Sequence, residues 1–209
     1  MNNFVRITSG KFRGRKATTP GEETHPMGER ERLALFNMIS DYLPGATVLD
    51  AFAGSGALGI EALSRGASEV TFIEANKKAT GCIRGNLASL GLETKLKRGT
   101  SPKRPDQAKL VTPTVVDAKN HDDINGSARA VIEVICSRVQ NYQTQQRFDL
   151  ILADPPYDHF RLSEIEHLCS LLKSSGILVL SHPGVSPVLN GLTPIKSHKY
   201  AGATISIYK

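Results

Sequence analysis

The chain has 209 residues, 40% hydrophobic and 22% charged, with a formal net charge of +6. That length suits one domain, or one domain with a small appendage, and is enough to bury a sizeable core. No apolar run approaches ~18 residues, so a membrane span is not expected; the opening Met1-Asn-Asn-Phe-Val-Arg6 lacks a signal peptide's apolar region.

Cys82, Cys136 and Cys169 are scattered without metal-ligand spacing, which predicts reduced thiols in a cytoplasmic protein and no metal site. The basic balance suits a polyanionic partner, although charge alone serves solubility nearly as well. Residues 1–20 hold Arg6, Lys11, Arg13, Arg15 and Lys16 and no acid. Alternation over Val5–Thr8 and Arg15–Thr18 predicts a hairpin turned between Gly10 and Gly14. It is a candidate phosphate-contacting arm; taken alone it reads equally as a solvated basic tail. A polar connection over 21–27 then leads into a helix with Leu35, Met38, Ile39 and Tyr42 on one face, stopped by Pro44-Gly45.

Next comes Thr47-Val-Leu-Asp-Ala-Phe-Ala-Gly-Ser-Gly-Ala-Leu-Gly-Ile-Glu61. A short strand ends on Asp50, a turn of small residues follows (Ala53, Gly54, Ser55, Gly56), and a helix with Ile60 and Leu63 on one face closes at Arg65-Gly66. Strand, glycine turn and helix make the ligand crevice of an open α/β sheet. Gly54 or Gly56 is expected to need a positive φ. A carboxylate just before the turn opposes a diphosphate and welcomes an ammonium. Glu69–Glu74 reads as a second strand whose final acid lies about 20 residues past the turn, where Rossmann-type folds hold ribose hydroxyls.

Asn76–Leu90 reads as a helix capped by Asn76 and stopped by Gly91, and Thr94–Arg98 as a third strand. Residues 99–126 form a polar insertion too long for a plain connection: a flexible segment or an RNA-contacting flap. Ser127–Tyr142 follows a helical period through Val131, Ile135, Val139 and Tyr142; a strand over Ile132–Cys136 is the alternative.

The strand Leu150–Ala153 delivers Asp154-Pro-Pro-Tyr157. The two prolines fix φ and remove two donors, leaving the Asp154 and Pro155 carbonyls free to accept. Ser163-Glu-Ile-Glu166 suggests a capping box opening a helix to Leu172. Lys173–Gly176 is read as a turn into a buried fifth strand, Ile177–Ser181, followed by His182 as a solvent-exposed strand end. Lys196–Tyr200 and Thr204–Tyr208 form a closing hairpin. Together these predict an α/β, Rossmann-like fold: a mostly parallel seven-stranded sheet with helices on both faces and a small N-terminal hairpin.

Asp50-x-Phe-x-Gly-x-Gly resembles the nucleotide loop of S-adenosylmethionine methyltransferases, and Asp154-Pro-Pro-Tyr157 resembles the tetrad of those acting on exocyclic amino groups of bases. An arylamine is a poor nucleophile because its lone pair is delocalised. A carboxylate and a carbonyl accepting its two N–H groups hold the nitrogen in line, and bind more tightly as it gains positive charge. Asp154 can also take the released proton.

The lead Gly10-Lys-Phe-Arg-Gly-Arg-Lys16, the Thr24-His-Pro26 turn, Ala34-Leu-Phe-Asn37 and the closing Lys199-Tyr-Ala-Gly-Ala-Thr204 complete a resemblance to the RsmD family, covering the chain except roughly 99–126. The resemblance implies class I methyltransfer from S-adenosyl-L-methionine to guanine N2 of 16S ribosomal RNA, naked or in an assembling small subunit, by a monomer. It implies cofactor contacts from Asp50, Phe52, Gly54, Ser55, Gly56 and Glu74, base contacts from Asp154, Pro155, Pro156 and Tyr157, and RNA contacts from Lys11, Arg13, Arg15, Lys16 and Arg30. The chain departs from the family at His25, Met27 and Glu29, while Arg30 and Arg32 remain. The family's acid for the cofactor adenine falls on Thr100 or Asp117. The alternatives are a DNA adenine-N6 or cytosine-N4 methyltransferase and a non-catalytic RNA-binding protein of the same fold.

Overall fold

The computed structural model describes residues 4–21, 27–92, 94, 130–200 and 202–209. The basic N-terminal segment forms the expected hairpin: β1 (Phe4–Arg6) pairs antiparallel with β2 (Lys16–Thr18), with Val5 opposite Ala17. Those two residues point inward, and Ile7, Phe12 and Ala17 join the main core. The hairpin is thus packed rather than a loose tail.

The helix α1 (Glu29–Met38) buries Leu35 and Phe36 and passes through a 3-10 turn, Ser40–Tyr42. Strand β3 (Thr47–Ala51) follows, then α2 (Ala57–Ser64), β4 (Glu69–Glu74) and α3 (Lys77–Ser89). The Asn76 side chain caps α3 by accepting the Lys78 and Ala79 N–H groups. After β5 (Val131–Cys136) and β6 (Phe148–Ala153) come α4 (Leu162–Cys169), β7 (Leu172–His182) and the hairpin β8 (Pro194–Tyr200) and β9 (Ala203–Tyr208).

The seven strands lie in the order β5-β4-β3-β6-β7-β9-β8. The first five run parallel and β9 is antiparallel to both neighbours. The central strands are apolar on both faces because helices cover both. Leu35, Phe36, Ile60, Phe72 and Ile83 fill one side; Phe148, Ile151, Ile165 and Leu168 fill the other. The chain winds outward in opposite directions from β3 and β6, and such a switch point opens a crevice at the strands' carboxyl ends.

Helix α2 is buried along its whole length, including Glu61. The Glu61 carboxylate accepts from Thr8 N (2.8 Å), Thr8 Oγ1 (2.6 Å), Ser9 N (3.0 Å) and Arg65 Nε (2.9 Å), stapling the hairpin to the domain. Arg32 is buried beside it, Nε 3.8 Å from Glu61 Oε2, and donates to the carbonyls of Met27 and Arg6. Arg32 is therefore structural, not a surface cation left for RNA.

The structure corrects several expectations. Val131–Cys136 is a strand, parallel to β4 from Glu69↔Val131 to Glu74↔Cys136. The four-residue spacing of its apolar residues imitates a helix, but the β-branched run Val131-Ile132 and Val134-Ile135 suits a pleated edge, where Ile132 and Val134 alternate inward. This strand lies at the edge of the sheet, beside β4. Thr94 is in no strand, and residues 95–98, the 99–126 insertion, Thr100 and Asp117 lie outside the described residues, as does His25. Ser163 is inside α4 rather than its cap, and the helix ends at Cys169 because Leu172 already pairs with Phe148. Lys173–Gly176 makes no turn: β7 runs through it with a register irregularity opposite Phe148/Leu150. His182 is buried, its Nε2 2.9 Å from Ser206 Oγ.

Candidate active site

The tips of β3, β4, β5, β6 and β7 open onto one cavity of about 1080 Å³. The glycine turn and Asp154-Pro-Pro-Tyr157, about a hundred residues apart in sequence, both line it.

Three left-handed residues at alternate positions shape the turn after β3. Gly54 (φ 54°) and Gly56 (φ 78°) are left-handed, and so is Phe52 (φ 60°). A bulky residue held there stores on the order of 1–3 kcal/mol and marks a constrained site. Gly56 is also the N-cap of α2, and its N–H donates to the Ala53 carbonyl at 2.7 Å.

Asp50 lies beneath this turn rather than in the cavity wall. Its Oδ2 accepts the Gly59 N–H at 2.8 Å. A Cβ on Gly59 would come within 2.2 Å of the Phe72 ring and 3.0 Å of Asp50 Oδ2, so only glycine permits that approach. Oδ1 is buried with no hydrogen-bond partner among the described residues. Burial pushes the Asp50 pKa well above the usual carboxylate range; the Gly59 N–H opposes this, and the charges of Asp154 and Glu74 add to it.

Glu74 sits at the tip of β4. Its Oε2 accepts the Gly54 N–H at 2.8 Å and its Oε1 the Asn76 N–H at 2.7 Å. Each oxygen keeps a second lone pair. Asp154 leaves β6 with its pKa raised to about 6 by burial, while the neighbouring Ser181 hydroxyl pulls it back. Pro155 is buried and Pro156 exposed. Tyr157 is about one-third exposed, with its Oη 2.6 Å from Ser181 Oγ.

The sequence reading missed several cavity residues. Ser181 is one; its buried strand gave no sign of which neighbour its hydroxyl would meet. Ser137 and Arg138, at the tip of β5, are others, hidden by the mistaken helix. Tyr200 joins from the C-terminal hairpin. The wall is rich in acids, Glu31, Glu74, Asp154, Asp158 and Glu164, facing Arg32, Arg138 and Arg161. With the unpartnered Asp50 oxygen below, this donor set fits a cationic ligand such as S-adenosylmethionine, which carries an ammonium and a sulfonium.

Lys11, Arg13, Arg15, Lys16 and Arg30 are all exposed and none lines the cavity. Lys16 Nζ lies 4.1 Å from the Phe4 ring centroid, and Arg15 donates to the Ser89 carbonyl. Asn86 on α3 ties this arm to the glycine turn. Its Oδ1 accepts the Thr18 N–H, and its Nδ2 donates to the carbonyls of Thr18 and Ser55, all within 2.9 Å.

A family model described as "Conserved hypothetical protein 95" matches residues 5–117. Ribosomal RNA small subunit methyltransferase D of Haemophilus influenzae is 31% identical over 190 residues, 88% of this chain and 82% of that protein. Two solved structures share the fold. One from Escherichia coli, provisionally named a methyltransferase, superposes with a TM-score of 0.71 at 25% identity, covering 98% of this chain and 97% of that one. One from Haemophilus influenzae, provisionally named a methylase, has a TM-score of 0.65 at 27% identity, with the same coverage.

Proposed function

The chain belongs to the RsmD family of ribosomal RNA methyltransferases, and we propose that it methylates the exocyclic N2 amino group of a guanine in small-subunit ribosomal RNA, using S-adenosylmethionine. The observation that carries this reading is the shared cavity: an acid-lined glycine turn and an Asp-Pro-Pro-Tyr turn face the same volume. The name of the Haemophilus influenzae relative supports the substrate class.

In this reading Phe52, Gly54, Ser55 and Gly56 form the cofactor bed, Glu74 receives the ribose hydroxyls, and Asp50 supports the turn from beneath through the Gly59 N–H. Ser137 and Arg138 are the proposed neighbours of the adenine, since their strand stands beside β4. The cofactor supplies an electrophilic methyl group. The chain's own work is to present the amine. The Asp154 carboxylate and the Pro155 carbonyl accept its N–H groups and grow more favourable as the nitrogen becomes positive. Asp154 is ionised above a pKa of about 6, so it can accept at neutral pH and take the proton afterwards. Tyr157 offers a face for the base, a contact worth ~1–3 kcal/mol in other nucleic-acid proteins. The guanine must leave its stack to reach this turn.

The hairpin within residues 1–20, with Lys11, Arg13, Arg15 and Lys16, together with Arg30, is the proposed phosphate-contacting arm on a methyltransferase domain spanning 21–209. The deciding experiment supplies radiolabelled S-adenosylmethionine with naked small-subunit RNA, small-subunit particles or duplex DNA, and maps the product by mass spectrometry. Label on a guanine of either RNA substrate is the expected result. Label on DNA alone, or on none of the three, overturns the proposal.

A further inference from the structure

After Glu166 the chain contains no aspartate or glutamate, as over residues 1–20, yet it carries Lys173, Lys196, Lys199 and Lys209. Lys173 is neutralised by Asp149 at 2.8 Å. Lys196, His198 and Lys199 have no such partner. All three are exposed on β8, and their side chains make no hydrogen bond or ion pair among the described residues. Strand β8 is the outer edge of the sheet and pairs only with β9, so it also presents a row of backbone N–H groups that no strand takes up.

Register shows where this strand leads. Lys196 stands opposite Ile207, His198 opposite Ile205 and Tyr200 opposite Ala203. Directly opposed residues of an antiparallel pair share a face. Ile205 and Ile207 belong to the core cluster that also holds Leu35 and Phe36 of α1 and Ile7 and Phe12 of the N-terminal arm. Lys196 and His198 therefore lie on the sheet face that carries α1 and the arm, and are left exposed there. At ~3.3 Å per residue, His198 is about 7 Å and Lys196 about 13 Å along the strand from Tyr200. Tyr200 itself lines the cavity. The arm reaches the other side of the sheet: it bonds to Asn86 and Ser89 of α3, whose Arg84 donates to Val134 of β5, the opposite edge strand. Two basic elements thus flank the candidate active site.

We propose that β8 is a second RNA-contacting surface, on which Lys196, Lys199 and the outward N–H groups hold phosphates of the strand that delivers the target base. The inference rests on the reading of the chain as an RNA methyltransferase, but its decisive test is binding. Phosphate contacts fix register and orientation without reading sequence. Contacts on both sides of the cavity hold a splayed-out nucleotide in place, where the arm alone would leave the RNA free to pivot. Lysines on an edge strand also deter edge-to-edge pairing, so the experiment has to separate the two roles. Fluorescence anisotropy with naked small-subunit RNA is measured over a range of salt concentrations. Lys196→Ala combined with Lys199→Ala should flatten the slope of log affinity against log salt by about one to two, and weaken binding roughly three- to tenfold near 0.1 M salt. Lys196→Glu combined with Lys199→Glu should weaken it further. Lys173→Ala combined with Lys209→Ala removes the same charge at the end of the sheet away from the cavity, and should leave the slope near the wild type's. Cofactor affinity should hold in all three.

A wild-type salt slope in the Lys196 and Lys199 variants overturns the inference, and aggregation of those variants at an unchanged slope assigns the lysines to edge protection instead. Equal flattening in the Lys173 and Lys209 control also overturns it, since the effect would then be one of net charge alone. Weakened binding to small-subunit particles with naked RNA unaffected would make the occupant a protein, and overturns it too. Wild-type protein that binds and methylates RNA while the edge variants behave normally removes this inference and leaves the functional reading standing; wild-type protein that binds no RNA removes both.

Discussion

Glu74 accepts the backbone N–H of Gly54 at 2.8 Å, so the acid at the tip of β4 holds the turn at the tip of β3. The same carboxylate accepts the Asn76 N–H at the start of α3. One side chain thus links the turn, the strand and the next helix before any ligand arrives.

Glu74→Gln tests this linkage. An amide has one oxygen and cannot accept both N–H groups in the same way. Calorimetric titration should show S-adenosylmethionine binding about tenfold more weakly, and unfolding should be easier by ~1–2 kcal/mol. Unchanged affinity would mean the acid serves only the fold.

Asp154→Asn separates activity from stability. The folded pKa of about 6 lies above the ordinary value of 3.8. Between those values the folded protein binds more protons than the unfolded chain, so this group's contribution to stability falls as pH rises and stays lowered above about 6. The variant should lose methyl transfer while gaining up to about 2–3 kcal/mol near pH 8, with little gain near pH 4. Thermal melts at both pH values check the sign, and wild-type kcat should show an acid limb near 6.

Gly59→Ala should destabilise by ~1–3 kcal/mol, because the new methyl meets the rigid Phe72 ring and the Asp50 carboxylate. Gly54→Ala is the contrast. Its Cβ meets nothing within 4 Å, so only the left-handed backbone opposes it, at a cost of about 1 kcal/mol. Denaturant titration of the two variants should rank them in that order.

The combined substitution Lys11→Ala, Arg13→Ala and Lys16→Ala addresses the arm. RNA affinity should drop and the slope of log affinity against log salt should flatten by about one per lost phosphate contact. Cofactor affinity should hold, because none of the three side chains lines the cavity. A salt slope equal to the wild type's would identify the arm as a solvated basic surface.

Asp50, Glu74 and Asp154 could be picked out in the sequence because each ends a short apolar run, and the glycines and prolines beside them have local, context-free backbone preferences. Those preferences are properties of the residues themselves, so the strand-turn-helix order around the site was legible too, although one of the seven expected strands was placed on the wrong segment. What a residue meets across the sheet was not. Val131–Cys136 has helical spacing and becomes a strand only because β4 offers it an edge. Arg32 gave no sign in the sequence that Glu61 and the hairpin would enclose it. His182 and Ser181 are adjacent in sequence, yet one is locked to Ser206 and the other turned to Tyr157. Alternation along a strand sends neighbours to opposite faces, and which partners wait on each face depends on strand order, a long-range property that local propensity does not encode.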